Sequence, residues 1–142
     1  VAFVVMLGLG GCAPDPDDSV QIPSAAPTTT TLAPGETLAP VETFAPNGET
    51  LDVLALDNNY IVQHVTVTAG TEIRWTNNGR NDHNVLPADD PEATTWGART
   101  EDFAPTMVYS RVFDTPGVYF YYCSIHGTPS AAMFGSVTVV AP

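Results

Sequence analysis

Cys123 and His126 stand with two residues between them in the run Tyr121-Tyr122-Cys123-Ser124-Ile125-His126-Gly127, and six residues separate His126 from Met133. A further His, His83, sits forty residues before Cys123 in Asn81-Asp82-His83-Asn84-Val85. A Cys-x-x-His pair arises often by chance, and a single buried Cys is more commonly a small hydrophobe than a ligand. The conjunction carries the weight. Two imidazoles, one thiolate and one thioether are the donor set of a type 1, or blue, copper site. Thiolate and thioether suit Cu(I) and imidazole suits both oxidation states, so a site fixed between the two preferences reorganises little on electron transfer. Zinc fits the same cage of donors. The chain has three His and two Cys in 142 residues, too few for multi-copper or multi-zinc catalysis.

These residues need strands to hold them. From Asn47 onward the sequence shows short apolar-polar alternation broken by turn residues, with no helical period. The strand candidates are 51–56, 61–68, 71–76, 107–113, 118–123 and 134–140. Ile73 and Trp75 alternate with Glu72, Arg74 and Thr76, and Val137 and Val139 alternate with Ser136 and Thr138, as in half-buried strands. Ala69-Gly70 and Asn77-Asn78-Gly79 mark turns, and Thr115-Pro116-Gly117 predicts a type II turn. Residues 89–105 are the least regular stretch. Strands this short and this numerous predict an all-β Greek-key sandwich or barrel. Cys123 ends one strand, and His126 and Met133 are expected on the loop before the last. Alternation turns Tyr119 and Tyr121 to the same inward face as Cys123 and leaves Phe120 and Tyr122 on the other. Met107 is expected in the core and His64 at an exposed strand position; core packing is the competing role for Met133.

Residues 50–140 resemble a cupredoxin of the plastocyanin family. The resemblance rests on Thr71-Glu-Ile-Arg-Trp-Thr-Asn, Asp82-His-Asn-Val, Asp114-Thr-Pro-Gly-Val-Tyr-Phe-Tyr-Tyr-Cys-Ser-Ile-His-Gly and Met133-Phe-Gly-Ser-Val-Thr-Val. It implies one copper per chain, with His83 as the N-terminal ligand, Cys123 as the thiolate, His126 as the ligand at the solvent edge and Met133 as the weak axial ligand. Asn84 matches the family residue that steadies the Cys loop. Tyr122 resembles the exposed Tyr through which such proteins meet a partner, so His126 and Tyr122 are the candidate electron-transfer surface. The interval from His126 to Met133 is longer than plastocyanin's own.

The N-terminal part reads differently. Residues 1–11 form an apolar run too short to span a membrane and suited to the hydrophobic region of a signal peptide whose start is missing. Leu9-Gly10-Gly11-Cys12 resembles a bacterial lipobox, which implies a lipidated Cys12 and an extracytoplasmic, membrane-anchored protein, periplasmic or at the cell surface. A Cys12–Cys123 disulfide is the alternative use of the two thiols. Residues 13–46 hold seven Pro and the degenerate repeat Thr31-Leu-Ala-Pro-Gly-Glu, Thr37-Leu-Ala-Pro-Val-Glu, Thr43-Phe-Ala-Pro-Asn-Gly-Glu. That composition predicts a disordered linker, reaching roughly 100 Å if fully extended as polyproline II. The domain reading is therefore a signal peptide over 1–11, the lipidated Cys and linker over 12–46, and the copper domain over 47–142.

A formal charge of −12, with four Arg and no Lys, argues against nucleic acid as a partner. The copper domain alone carries four Arg against eleven Asp and Glu, an acidity that serves solubility and can steer a cationic redox partner. The leading expectation is a monomeric, membrane-tethered one-electron carrier between protein redox partners, and not an enzyme. A copper-binding or copper-delivery lipoprotein is the alternative, for which exposed Met or His clusters would be expected and none is evident. A nitrite-reductase or multicopper-oxidase type of enzyme would need more His ligands and further domains.

Overall fold

The computed structural model describes residues 40–142. The signal segment, Cys12 and the linker as far as residue 39 lie outside the described residues. Among the described residues eight strands form two four-stranded sheets. One, in the order β2-β1-β4-β6, is built from β2 (Tyr60–Ile61), β1 (Thr50–Ala55), β4 (Thr71–Asn77) and β6 (Val108–Phe113). The other, in the order β3-β8-β7-β5, is built from β3 (His64–Thr68), β8 (Ala131–Val140), β7 (Gly117–Thr128) and β5 (Leu86–Pro87). β1 runs parallel to β4 and β3 parallel to β8, while the other pairs are antiparallel. The all-β sandwich expected from the alternation is the observed architecture.

β4 shows how sequence makes the core. Thr71, Ile73, Trp75 and Asn77 are buried while Arg74 is exposed, so one face of the strand is removed from water. Trp75 is wholly buried, with Tyr109 stacked on it at 5.5 Å and Tyr121 edge-on at 5.3 Å between ring centroids. Tyr121 reaches it from the other sheet, so an aromatic contact joins the two layers. Gly135 makes that possible: a Cβ there would stand 2.6 Å from the Tyr121 hydroxyl.

Several elements differ from the sequence expectation. The 61–68 strand is two strands, β2 and β3, which belong to different sheets. The segment crosses from one layer to the other, and hydrophobic alternation carries no information about which sheet a strand joins. β5 is two residues long, too short to leave a pattern. Gly117 lies outside the left-handed region that a type II turn needs at that position; among the described residues the glycines with positive φ are Gly48, Gly70 and Gly97. Met107 is 45 % exposed, just ahead of β6, instead of core. His64 is exposed as expected, 2.8 Å from the Ser136 hydroxyl through Nδ1. The irregular 89–105 stretch contains one 3-10 turn, Thr100–Asp102.

Order begins ahead of Asn47. Phe44 packs against the core, its N–H donates to the Asp114 carbonyl at 2.8 Å, and the Asn47 N–H donates to the Gly70 carbonyl at 3.0 Å.

Candidate metal centre

The site is made by a break in the β7–β8 ladder. Tyr122 pairs with Phe134 and Gly127 with Ala132, so residues 123–126 of β7 stand opposite Met133 alone. The surplus residues cannot stay in register and bulge out of the ladder. Cys123 and His126, at the two ends of the bulge, thereby project to one place, and Met133 is the residue facing them. Both therefore lie within long strands, whereas the sequence placed His126 and Met133 on a loop. Two backbone details hold the bulge. Gly127 permits close approach, since a Cβ there would come 2.5 Å from the Met133 nitrogen. Ala132 has φ of +61°, a left-handed conformation uncommon outside Gly and Asn.

His83 comes from the segment after β4. Asn77, at the end of that strand and buried, shapes the segment. Its amide donates to the carbonyls of Asn81 at 3.0 Å and Phe103 at 2.8 Å, and its Oδ1 accepts the Gly79 N–H at 3.1 Å. Sequence reasoning saw Asn77-Asn78-Gly79 only as a turn. Its first residue also pins the loop that delivers His83. His83 itself is fully buried.

Cys123 Sγ lies 3.7 Å from His83 Nδ1 and 3.7 Å from His126 Nδ1. Metal–nitrogen and metal–sulfur bonds of about 2.0 and 2.3 Å, set at an angle of about 120°, hold nitrogen and sulfur roughly 3.7 Å apart. The spacing thus fits one ion in a trigonal His2Cys set. Candidate donor atoms of the three residues all lie within 4.8 Å of one another. Cys123 and Met133 are wholly buried and His126 is partly exposed. Among the described residues Cys123 has no disulfide partner. Burial, and next the neighbouring His126, hold the His83 imidazole below the usual histidine range, so it is neutral and able to ligate at neutral pH.

Around these side chains lies a second layer. The Ser124 N–H donates to Asn84 Oδ1 at 2.9 Å, and the Asn84 amide donates to Ser124 Oγ at 2.9 Å and Thr100 Oγ1 at 3.1 Å. The Tyr60 hydroxyl donates to the Asn84 carbonyl. Asn84 therefore contacts the Cys-bearing strand where the family resemblance implied. Ser124 and Thr100 had no signal of their own, because their role exists only once distant strands meet. Tyr122 is half-buried on the outer face, beside Leu86 and Phe134 in the ladder. Tyr121 is buried with Cys123.

A two-layer β-sandwich with a buried thiolate between two imidazoles at a strand bulge defines a cupredoxin with one type 1 copper site. The profile of copper binding proteins, plastocyanin/azurin family, matches residues 51–140, and the chain belongs to that family. It is 38 % identical over 80 residues to plastocyanin of Scenedesmus fuscus, covering 53 % of this chain and 80 % of that one. With chloroplastic plastocyanin of Tetradesmus obliquus it shares 38 % over 80 residues, 53 % of this chain and about half, 54 %, of that protein's length. Among solved structures it resembles amicyanin of Paracoccus versutus at 25 % identity and a TM-score of 0.50, covering 73 % of this chain and 96 % of that one.

Proposed function

We propose that this protein is a one-electron carrier whose copper is held by His83, Cys123 and His126 with Met133 as the axial donor. The observation that carries this reading is the pair of equal 3.7 Å separations between Cys123 Sγ and the two Nδ1 atoms, opposite a buried Met133. When bound, copper supplies a one-electron Cu(II)/Cu(I) couple. The protein supplies rigidity: four donor side chains, three on two strands and one on a braced loop, with Cys123, Met133 and His83 buried. His126, the partly exposed ligand, with the apolar Ile125 beside it at 48 % exposure, is the route out to a protein partner, and Tyr122 is a second contact point.

The wider setting is part of the same proposal. Lipidated Cys12, a signal segment over 1–11 and a linker over 12–46 would place the copper domain, residues 47–142 with the Phe44 contact, outside the cytoplasm on a membrane tether, as a monomer meeting donor and acceptor proteins. Among the described residues no helix is long and apolar enough to cross a membrane. The plastocyanin relatives support a carrier over an enzyme. The test is a visible-absorption titration of the purified chain with Cu(II), followed by ascorbate. An intense blue band saturating at one copper and bleaching reversibly is expected. A weak or absent band would shift the reading to copper binding or delivery. Globomycin-sensitive processing and membrane fractionation of the expressed precursor, with and without Cys12→Ser, test the anchor.

A further inference from the structure

The loop that delivers His83 holds a buried polar atom for which the ligand set gives no use. His83 turns Nδ1 to Cys123 Sγ, so in the ligating tautomer the ring proton is on Nε2. Among the described residues that Nε2 is buried without a hydrogen-bond partner. A ligating His ordinarily passes its second ring N–H to a carboxylate, a carbonyl or a water, which fixes the ring and raises its basicity. Two neighbours flank the atom. A Cβ on Gly79 would stand 3.0 Å from His83 Nε2 and 2.9 Å from Asp57 Oδ1. The two atoms are therefore at most about 6 Å apart, close enough for the carboxylate charge to act on the ring.

Asp57 is fixed where it stands. Its Oδ1 accepts the Arg80 backbone N–H at 2.7 Å, and its Oδ2 accepts Arg80 Nη2 at 2.9 Å and Nε at 3.2 Å. These bonds also hold its carboxyl below the usual carboxylate range. Asp57 and Arg80 line a surface recess of about 350 Å³ with Leu56, Asn78 and Gly79, and His83 lies buried behind it. The other carboxylate near the ring, Asp82, is exposed.

We propose that Asp57 is the charged partner of His83, its carboxylate standing behind the ring on the Nε2 side and, together with Arg80, setting the charge felt at the metal. The inference rests on His83 being a copper ligand, as argued above. A carboxylate held behind the ring favours the more positive Cu(II) state, and the guanidinium opposes it. Gly79 is part of the device, because any side chain there would wedge between the two.

The experiment is a redox titration of the copper-loaded full chain at low ionic strength, followed on the blue band, for the wild type and for Asp57→Asn, Asp57→Glu, Arg80→Gln and Asp82→Asn. Asp57→Asn is expected to raise the reduction potential by an amount equal to a several-fold change in the Cu(II)/Cu(I) ratio. Asp57→Glu stays near the wild type and Asp82→Asn moves less than Asp57→Asn. Arg80→Gln lowers the potential, by less, because its side chain is 90 % exposed and screened. A merely structural bridge would be broken alike by Asp57→Asn and Arg80→Gln, so shifts of the same sign, or none, overturn the proposal. Should Asp57→Asn fail to fold or load, the sign in Arg80→Gln decides: downward supports, upward or unchanged overturns. A wild type without a blue band removes the copper-site reading and the proposal with it, whereas a blue Asp57→Asn variant with an unshifted potential removes the proposal alone.

Discussion

Asn84 and Ser124, each the residue next after a copper-site side chain, are bonded to one another twice, by the Ser124 N–H to Asn84 Oδ1 and by the Asn84 amide to Ser124 Oγ, both at 2.9 Å. The link ties the loop bearing His83 to the strand bearing Cys123 without touching the metal. Asn84→Ala removes both bonds and the one to Thr100, leaving the Ser124 N–H without its acceptor. The expected loss is on the order of 1–3 kcal/mol, read as a lower urea midpoint at unchanged slope. The Cu(II) form should also show a shifted charge-transfer band, because the donor separations are no longer fixed. An unchanged midpoint and spectrum would show that the link is idle.

Cys123→Ser replaces the thiolate with a hydroxyl of similar size at a wholly buried position. The fold should survive, as judged by far-ultraviolet circular dichroism, and the intense blue band should vanish, because that band requires a copper–thiolate bond. A retained band would place the thiolate elsewhere.

Met133→Leu keeps the volume and removes the thioether, so copper should still bind and the reduction potential should rise, since a weak donor to Cu(II) is lost. The accompanying stability change should stay under about 1.5 kcal/mol, as for volume-conserving core replacements. An unshifted potential measured by redox titration would point to another axial group opposite the β7 bulge.

What could be read in advance was what repeats locally. Alternation in β4 and β8, the turn at Ala69-Gly70 and the residue types at His83, Cys123, His126 and Met133 are all short-range features, and they carried the fold class and pointed to the cluster of His83, Cys123 and His126. The bulge is a different kind of fact. It depends on two strands being extended past each other with four residues against one, and no window on either strand contains that count. For the same reason the loop reading of His126 and Met133 fails, although both residues lie at the bulge. Asn77, Ser124 and Thr100 act across the fold and carry no pattern of their own. Met107 was misjudged because an apolar residue at a strand end looks the same whether the strand begins before or after it.

Tyr121 gives the molecule an alkaline limit. Burial raises its hydroxyl from 10.0 to about 12, and among the described residues that hydroxyl has no partner. With the folded value above the unfolded one, the contribution is complete below pH 10 and is lost as pH rises from there to about 12. The loss is on the order of 2–3 kcal/mol. Thermal melts across this range should fall with pH, and Tyr121→Phe should flatten the fall while costing little at neutral pH, because an unpaired buried hydroxyl is removed. Part of the slope should persist, since burial pushes Tyr60 well above its ordinary value as well. A Tyr121→Phe profile parallel to the wild type would assign the alkaline loss elsewhere.

Phe44 belongs with the folded residues. It sits three residues before the sequence-based start of the copper domain, yet it packs on the core and its N–H bonds to Asp114, in the turn that leads from β6 into β7. Cys123 lies farther along that strand, so the contact should matter to stability and not to colour. A chain beginning at Pro40 should melt like the full-length protein, and one beginning at Asn47 should melt lower. The cost should be about 1–2 kcal/mol, for partial burial of one aromatic side chain, or several degrees for a domain of this size. Both should load copper with the same visible spectrum. Equal melting of the two would mean that the fold begins at Asn47 and Phe44 belongs with the tether; a spectral change in the shorter chain would mean that the contact reaches the metal site through β7.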